Sequence, residues 1–480
     1  MKDGETFAVF TPAGTIRPGG FGELGIYHGG TRFISTFELA IERRSPLLLG
    51  STVRNDGVLV VHLASPDIPD FAGGALDKDA LHLASASLLV DGAWHARLEL
   101  HNYSQRRIAI ELAILYGADF RDVFEVRGMK RERRGSIRPP IVDSQGVTLG
   151  YDGLDGRCRL TRIELSPVPR RMTSSRAELT LRLEPGDSQT IELRAVFGID
   201  HLPSSIDYAA AYGHVTRQPR LTRSARVATN NERFDAWMQR SASDVQMMTT
   251  TTAYGDYPYA GVPWFSTPFG RDGLITAYER LWLEPNLARG VLGFLSATQA
   301  TTNEPERDAE PGKIIHEARM GEMAALGEIP FGRYYGSVDA TPLFVILAYE
   351  HWRRTADRAA VEGLWPSISR ALAWLETDGD RDGDGFVEYA QRTSRGLVSQ
   401  GWKDSNDSIS HHDGQLAEGP IALCEVQGYT YAAMRGGAEL ARVLGLLDQA
   451  RDLDARADRL RDRFHGAFWS ERLGGYVLAL

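Results

Sequence analysis

The period of the apolar residues changes once along this chain, near residue 200, and that change limits what it can fold into. Before it, apolar and polar residues alternate in short runs, as in Ala96-Arg97-Leu98-Glu99-Leu100, Ile108-Ala109-Ile110-Glu111-Leu112 and Leu179-Thr180-Leu181-Arg182-Leu183. A period of two puts one strand face on a core, and several such runs bounded by Gly, Pro and Asp mark an antiparallel β-sandwich. After residue 230 the period is helical: Leu364, Ile368, Leu372 and Leu375 share one face, as do Leu453, Ala457 and Leu460. The two textures predict a multidomain β + α chain. An N-terminal β-sandwich is expected over 1–200, a partly helical linker over 201–229, and a helical domain over 230–480.

Helices are predicted near 231–250, 271–283, 286–300, 338–355, 358–376, 420–444 and 447–467. The loops between them alternate short and long, and the long ones (251–270, 302–337 and 378–419) collect the glycines, aromatics and paired charges. Helical hairpins with long loops on one side predict a toroid whose mouth those loops form, with function carried on loops held by a rigid scaffold. A ring of six hairpins needs more helices than this tract supplies, and the chain stops on the apolar run Gly474–Leu480. The toroid therefore reads as C-terminally truncated, with a complete, smaller helical domain as the alternative.

Composition removes several functional classes. The 480 residues include 54 Lys and Arg against 63 Asp and Glu, a formal charge of −9, which argues against a nucleic-acid footprint. With 42% hydrophobic residues the chain is not disordered. Cys158 and Cys424 lie in different halves without a CxxC or Cys/His neighbour, so neither a disulfide framework nor a zinc site is expected. No signal-peptide core and no run of about 20 apolar residues is present, which predicts a soluble, cytoplasmic protein without a membrane role. The basic run Lys130–Arg134 reads as a solvated loop face. No Walker A, nucleophile elbow or Rossmann fingerprint occurs.

The long loops carry the chemistry. In Gly401-Trp402-Lys403-Asp404-Ser405-Asn406-Asp407 a Trp stands beside a carboxylate. An indole offers an apolar platform to a pyranose face and can shield an acid from water, which favours the protonated form a general acid needs. Asp404 is the candidate acid, Asp407 its rival, and turn capping the plainer role for both. In Trp264-Phe265-Ser266-Thr267-Pro268-Phe269-Gly270-Arg271-Asp272, Arg271 and Asp272 suit sugar hydroxyls, with Trp264 and Phe265 as walls; a capped packing loop is the alternative. His316-Glu317-Ala318-Arg319 is no HExxH motif, because Met320 stands where the second His belongs. These three polar residues can bind hydroxyls or brace one another. Tyr335 and Asp339 add an aromatic and a carboxylate before a helix. Asp378, Asp380 and Asp382 begin like a calcium loop, but the twelfth position is Tyr389, so an acidic turn before a strand at 386–389 competes with Ca²⁺. Otherwise no metal and no cofactor is expected.

Taken in order, these segments resemble the bacterial amylo-α-1,6-glucosidase (glycogen-debranching-type) family of the six-hairpin glycosidases. The likeness is carried by Tyr27-His28-Gly29-Gly30-Thr31-Arg32-Phe33 and by Ala118-Asp119-Phe120-Arg121-Asp122-Val123-Phe124-Glu125-Val126-Arg127-Gly128 in the first half. In the second it lies in Phe269–Asp272, Ile315–Arg319, Tyr335–Asp339, Gly401–Ser405 and Glu425-Val426-Gln427-Gly428-Tyr429. The resemblance implies an (α/α)₆ toroid behind a β-domain, removing terminal α-glucosyl units with inversion. It places the acid at Asp404 and makes Glu425 a subsite or framing residue, beside Trp402 as the sugar platform. It puts the base between the last helices, beyond residue 480. The implied partner is an oligosaccharide, polysaccharide or small glucoside, with the oligomeric state left open. A disaccharide phosphorylase of similar architecture and a non-catalytic glycan-binding protein are the competing readings.

Overall fold

The computed structural model describes every residue except 18–21, 72–73, 218–224 and 226. Part of the expected linker thus lies outside the described residues. The alternating runs form strands throughout the first half. One antiparallel sheet has eight strands, in the order Ser136–Val142, Gly146–Asp152, Cys158–Ser166, Ser188–Ile199, Ala93–Asn102, Leu81–Val90, Leu59–Ala64 and Leu47–Val53. A four-stranded sheet, ordered Arg171–Met172, Arg176–Leu183, Ile108–Gly117 and Thr36–Ile41, adds its apolar face to the same core. The register explains the pattern: Leu98 pairs with Ile191 and Leu100 with Leu83, so Trp94, Ala96, Leu98 and Leu100 all face inward. Each large side chain so buried contributes about 1.5–3 kcal/mol. A second four-stranded sheet is built from Lys2–Asp3, Thr6–Val9, Gly25–His28 and Thr31–Ile34.

The helix Tyr208–Arg217 lies on the outer face of the long sheet, packing Tyr208 and Ala211 on Val58, Leu88 and Val90. The helical half then runs as Glu232–Met248, Gly270–Arg280, Pro285–Thr298, Ala340–Thr355, Arg358–Trp374, Cys424–Leu444 and Leu447–Phe468. These are the seven expected helices, with ends that differ from the expected bounds by up to four residues. Three hairpins follow one another (270–298, 340–374 and 424–468), and the first helix of each packs on the first helix of the next. That inner-and-outer pairing is the repeat of an α/α toroid. The run 386–389 is not a strand: only Tyr389 bridges, to Ile421. No described helix is long and apolar enough to cross a membrane.

The two halves are locked together. Arg131 sits in the basic run read as solvated, yet its side chain is 2% exposed. It donates to Glu322 at 3.1 Å and to Glu328 at 2.7 Å on the long loop of the helical half. Glu322 also accepts from the Tyr151 hydroxyl and the Leu154 amide, at 2.8 and 2.7 Å. Burial alone would raise its pKa, but these donors hold it below the usual range. A neighbouring helical turn, Val123–Val126, opens with a capping box at Asp122, whose second carboxylate oxygen accepts the Met323 amide at 3.2 Å. Lys130, Glu132 and Arg133 are exposed as expected; Arg131 departs from the solvated face because two of its acidic partners, Glu322 and Glu328, lie 191 and 197 residues away.

Candidate active site

Three long loops meet where the inner helices begin. The segment Ile315–Arg319 runs between two others: Glu317 bridges Phe269 on one side and Tyr334 on the other, and the Gly270 amide donates to the His316 carbonyl at 2.9 Å. The Val338 amide donates to the Gln400 carbonyl at 2.8 Å, which ties the loop bearing Trp402 and Asp404 to the start of the helix Ala340–Thr355. Side chains from all three converge for that reason.

Arg271 is the hub. It is 7% exposed and donates from one nitrogen to Asp339 at 3.0 Å and to the Gly401 carbonyl at 2.7 Å. Its other nitrogen donates to Asp404 at 3.2 Å. Asp339 is 1% exposed and also accepts from the Ser337 hydroxyl at 2.6 Å. Asp272 stands in the first turn of the helix Gly270–Arg280; burial pushes its carboxyl up, against the pull of Arg271. Beside this group, Arg319 donates to Glu317 at 2.5 Å and to the Trp264 carbonyl at 2.8 Å. Burial pushes Glu317 up, opposed by Arg319. His316 is buried edge-on between Phe269 and Tyr334, and burial, then Arg271, Arg319 and Lys313, pull its imidazole down to about 3. It is therefore neutral at physiological pH.

The structure brings together Arg271, Asp272, His316, Glu317, Arg319, Asp339 and Asp404. Trp264 is half-buried against Phe124 and Met323, and Phe265 is exposed at the rim. Glu425, in the first turn of Cys424–Leu444, acts electrostatically with Arg271 and Asp339 on Tyr429. Tyr335 is turned away into the core, its hydroxyl donating to the Thr298 carbonyl at 2.8 Å. Asp407 is exposed and has no ion pair among the described residues. The expected shield on the acid is missing: Trp402 is 60% exposed and its ring lies 5.4 Å from the Arg271 guanidinium, while the Asp404 side chain is 44% exposed. The acidic turn differs by one residue. Asp380, Asp382 and Asp384 draw together, without Asp378, and each accepts a backbone amide of its own loop. Sequence reasoning assigned no role to Ser337 or Arg127, although Arg127 stands inside the quoted motif of the first half.

Comparison with known proteins bears on the fold. Residues 1–194 match the N-terminal domain of (some) glycogen debranching enzymes, and residues 271–479 match the mannosylglycerate hydrolase MGH1-like glycoside hydrolase domain. Among solved structures, a putative kojibiose phosphorylase from the human microbiome superposes with a TM-score of 0.58 at 9% identity, over 99% of this chain and 65% of that one. A bacterial glucoamylase complexed with acarbose superposes with a TM-score of 0.55 at 10% identity, over 98% of this chain and 69% of that one. The chain thus spans about two thirds of their lengths. No curated protein sequence matches it. The shared fold is a β-rich domain ahead of an α/α toroid, and the second matched segment is a glycoside hydrolase domain. Residues 1–194 thus match an N-terminal domain of the glycogen-debranching type, and the fold of the whole chain is the one it shares with these two structures.

Proposed function

We propose that the protein is an inverting, exo-acting α-glucosidase for α-1,6-linked or related glucosides, with Asp404 as general acid. The supporting observation is the Arg271 hub, which holds a partly exposed carboxylate at the mouth and a buried one, Asp339, behind it. Asp404 is the member of that group open enough to meet a glycosidic oxygen. Arg271, Asp272, Trp402 and Glu425 are assigned to sugar hydroxyls and faces, with Trp264 and Phe265 as the outer wall. Inversion also needs a base roughly 6.5–9.5 Å from the acid, and none is assigned within residues 1–480. Asp404→Asn in the whole protein is expected to lower turnover of α-glucosides by more than a hundredfold. Its melting temperature should stay near that of the parent, and the parent's first product should be the β-anomer by NMR. Retained turnover in that variant would refute the assignment of the acid.

A second reading keeps the architecture and changes the nucleophile. The superposed kojibiose phosphorylase shares the scaffold across 99% of this chain. A phosphate requirement, with a sugar phosphate as product, would favour phosphorolysis. Glucan binding with no sugar released would favour a non-catalytic glycan-binding protein.

A further inference from the structure

Two of the guanidinium groups at the mouth are occupied: Arg271 by Asp339 and Asp404, Arg319 by Glu317. A third is not. Arg127 follows the turn Val123–Val126 of the β-rich half, and its guanidinium carbon lies 5.9, 5.7 and 5.6 Å from the ring centres of Phe124, Trp264 and Phe265. Among the described residues no carboxylate comes within salt-bridge distance of it. It stands beside the same loops: Trp264 and Phe265 flank it, and Arg319, which packs on the same Phe124 ring at 4.8 Å, donates to Glu317. Burial, then Arg319, lower its pKa, while Glu317 opposes them. A guanidinium keeps its proton in such surroundings.

Arg127 is exposed, with three rings flanking its guanidinium within 6 Å and no side-chain hydrogen bond or ion pair among the described residues. Stacking on aromatic surface is worth only about 0.5–1 kcal/mol at an exposed site. A planar fork of donors fits two oxygens of one carboxylate or phosphate, which a neutral glucan does not offer. We propose that Arg127 is an oxyanion subsite at the mouth of the cleft, so that the protein takes a phosphate or a carboxylate beside the sugar it binds. The subsite rests on the function proposed above only in placing the sugar near Asp404.

Calorimetry on the purified protein, with inorganic phosphate, maltobionate and the uncharged maltitol as probes, tests this. At least one anion should bind, and Arg127→Gln should weaken it about ten- to hundredfold. Maltitol should change less than twofold. A response to phosphate alone marks the anion as a reactant; a response to maltobionate alone marks an acidic substrate. Arg127→Lys, which keeps the charge and loses the fork, should weaken the anion severalfold, and it serves if the Gln variant melts early. Anion affinities unchanged in both variants, or no anion binding to the parent, overturn the subsite. Turnover of neutral glucosides that dies with Asp404→Asn while no anion binds would leave the glucosidase reading intact. Arg127-dependent binding with an active Asp404→Asn would do the reverse.

Discussion

Arg271 serves two carboxylates that differ in exposure, so its loss should separate stability from binding. Asp339 is buried, and without Arg271 it would keep only the Ser337 hydroxyl. An uncompensated buried charge costs roughly 3–5 kcal/mol, whereas an exposed pair such as that with Asp404 is worth about 0–1. Arg271→Met should therefore lower the urea midpoint by an amount set almost wholly by Asp339, and Arg271→Met with Asp339→Leu should recover most of it. A double variant no more stable than the single one would show that the cost lies elsewhere. His95 presents the opposite case. It is 1% exposed, and neither ring nitrogen has a partner. Burial, then Arg194, pull it down to about 4, and His316 lies at about 3. Below about pH 6.5 the unfolded chain takes up protons that the folded imidazoles refuse, so stability falls as pH drops from about 6.5 towards 4. His95→Leu should stabilise the fold by about 1–2 kcal/mol at pH 7, by removing unsatisfied polar atoms, and should flatten that acid slope. Urea midpoints at pH 7 and pH 5 read both effects.

At the scale of elements, position depends on close backbone approach as much as on side chains. A Cβ on Gly270 would stand 2.0 Å from the Ile315 carbonyl oxygen, so only glycine lets the helix carrying Arg271 start against the loop carrying Glu317. Gly270→Ala should shift that helix, weaken substrate binding at least tenfold and lower the melting temperature by several degrees. A variant with parental kinetics would show that the approach is dispensable. This contact explains what could be read from sequence. Strands such as Ala93–Asn102 and helices such as Arg358–Trp374 were legible because their periods record which face is buried. The gathering of Arg271, Glu317, Asp339 and Asp404 was legible only as separate loops rich in function-bearing residues. Orientation was not legible. Nothing local tells that Tyr335 turns inward to Thr298, or that the Trp402 ring lies over Arg271 and leaves Asp404 open. Arg131 and Glu322 were opaque for the same reason, since their pairing spans 191 residues.

Across the whole molecule, the long loop of the helical half is anchored on the β-rich half. Arg131, Asp122, Tyr151 and the Leu154 amide all hold Glu322 or its neighbour Met323, three to six residues from Glu317 and Arg319. Arg131→Met should cost roughly 3–5 kcal/mol by leaving Glu322 buried without its cation. It should also lower activity, although Arg131 lies in the other half from Asp404; parental stability in urea would refute the lock. The same anchoring has a further corollary. A toroid severed from its β-rich companion would retain the proposed acid and the Arg271 hub yet lose the brace that sets their neighbours. A substitution at Arg131 or Asp122 would thus reach the proposed site through the loop that both residues hold.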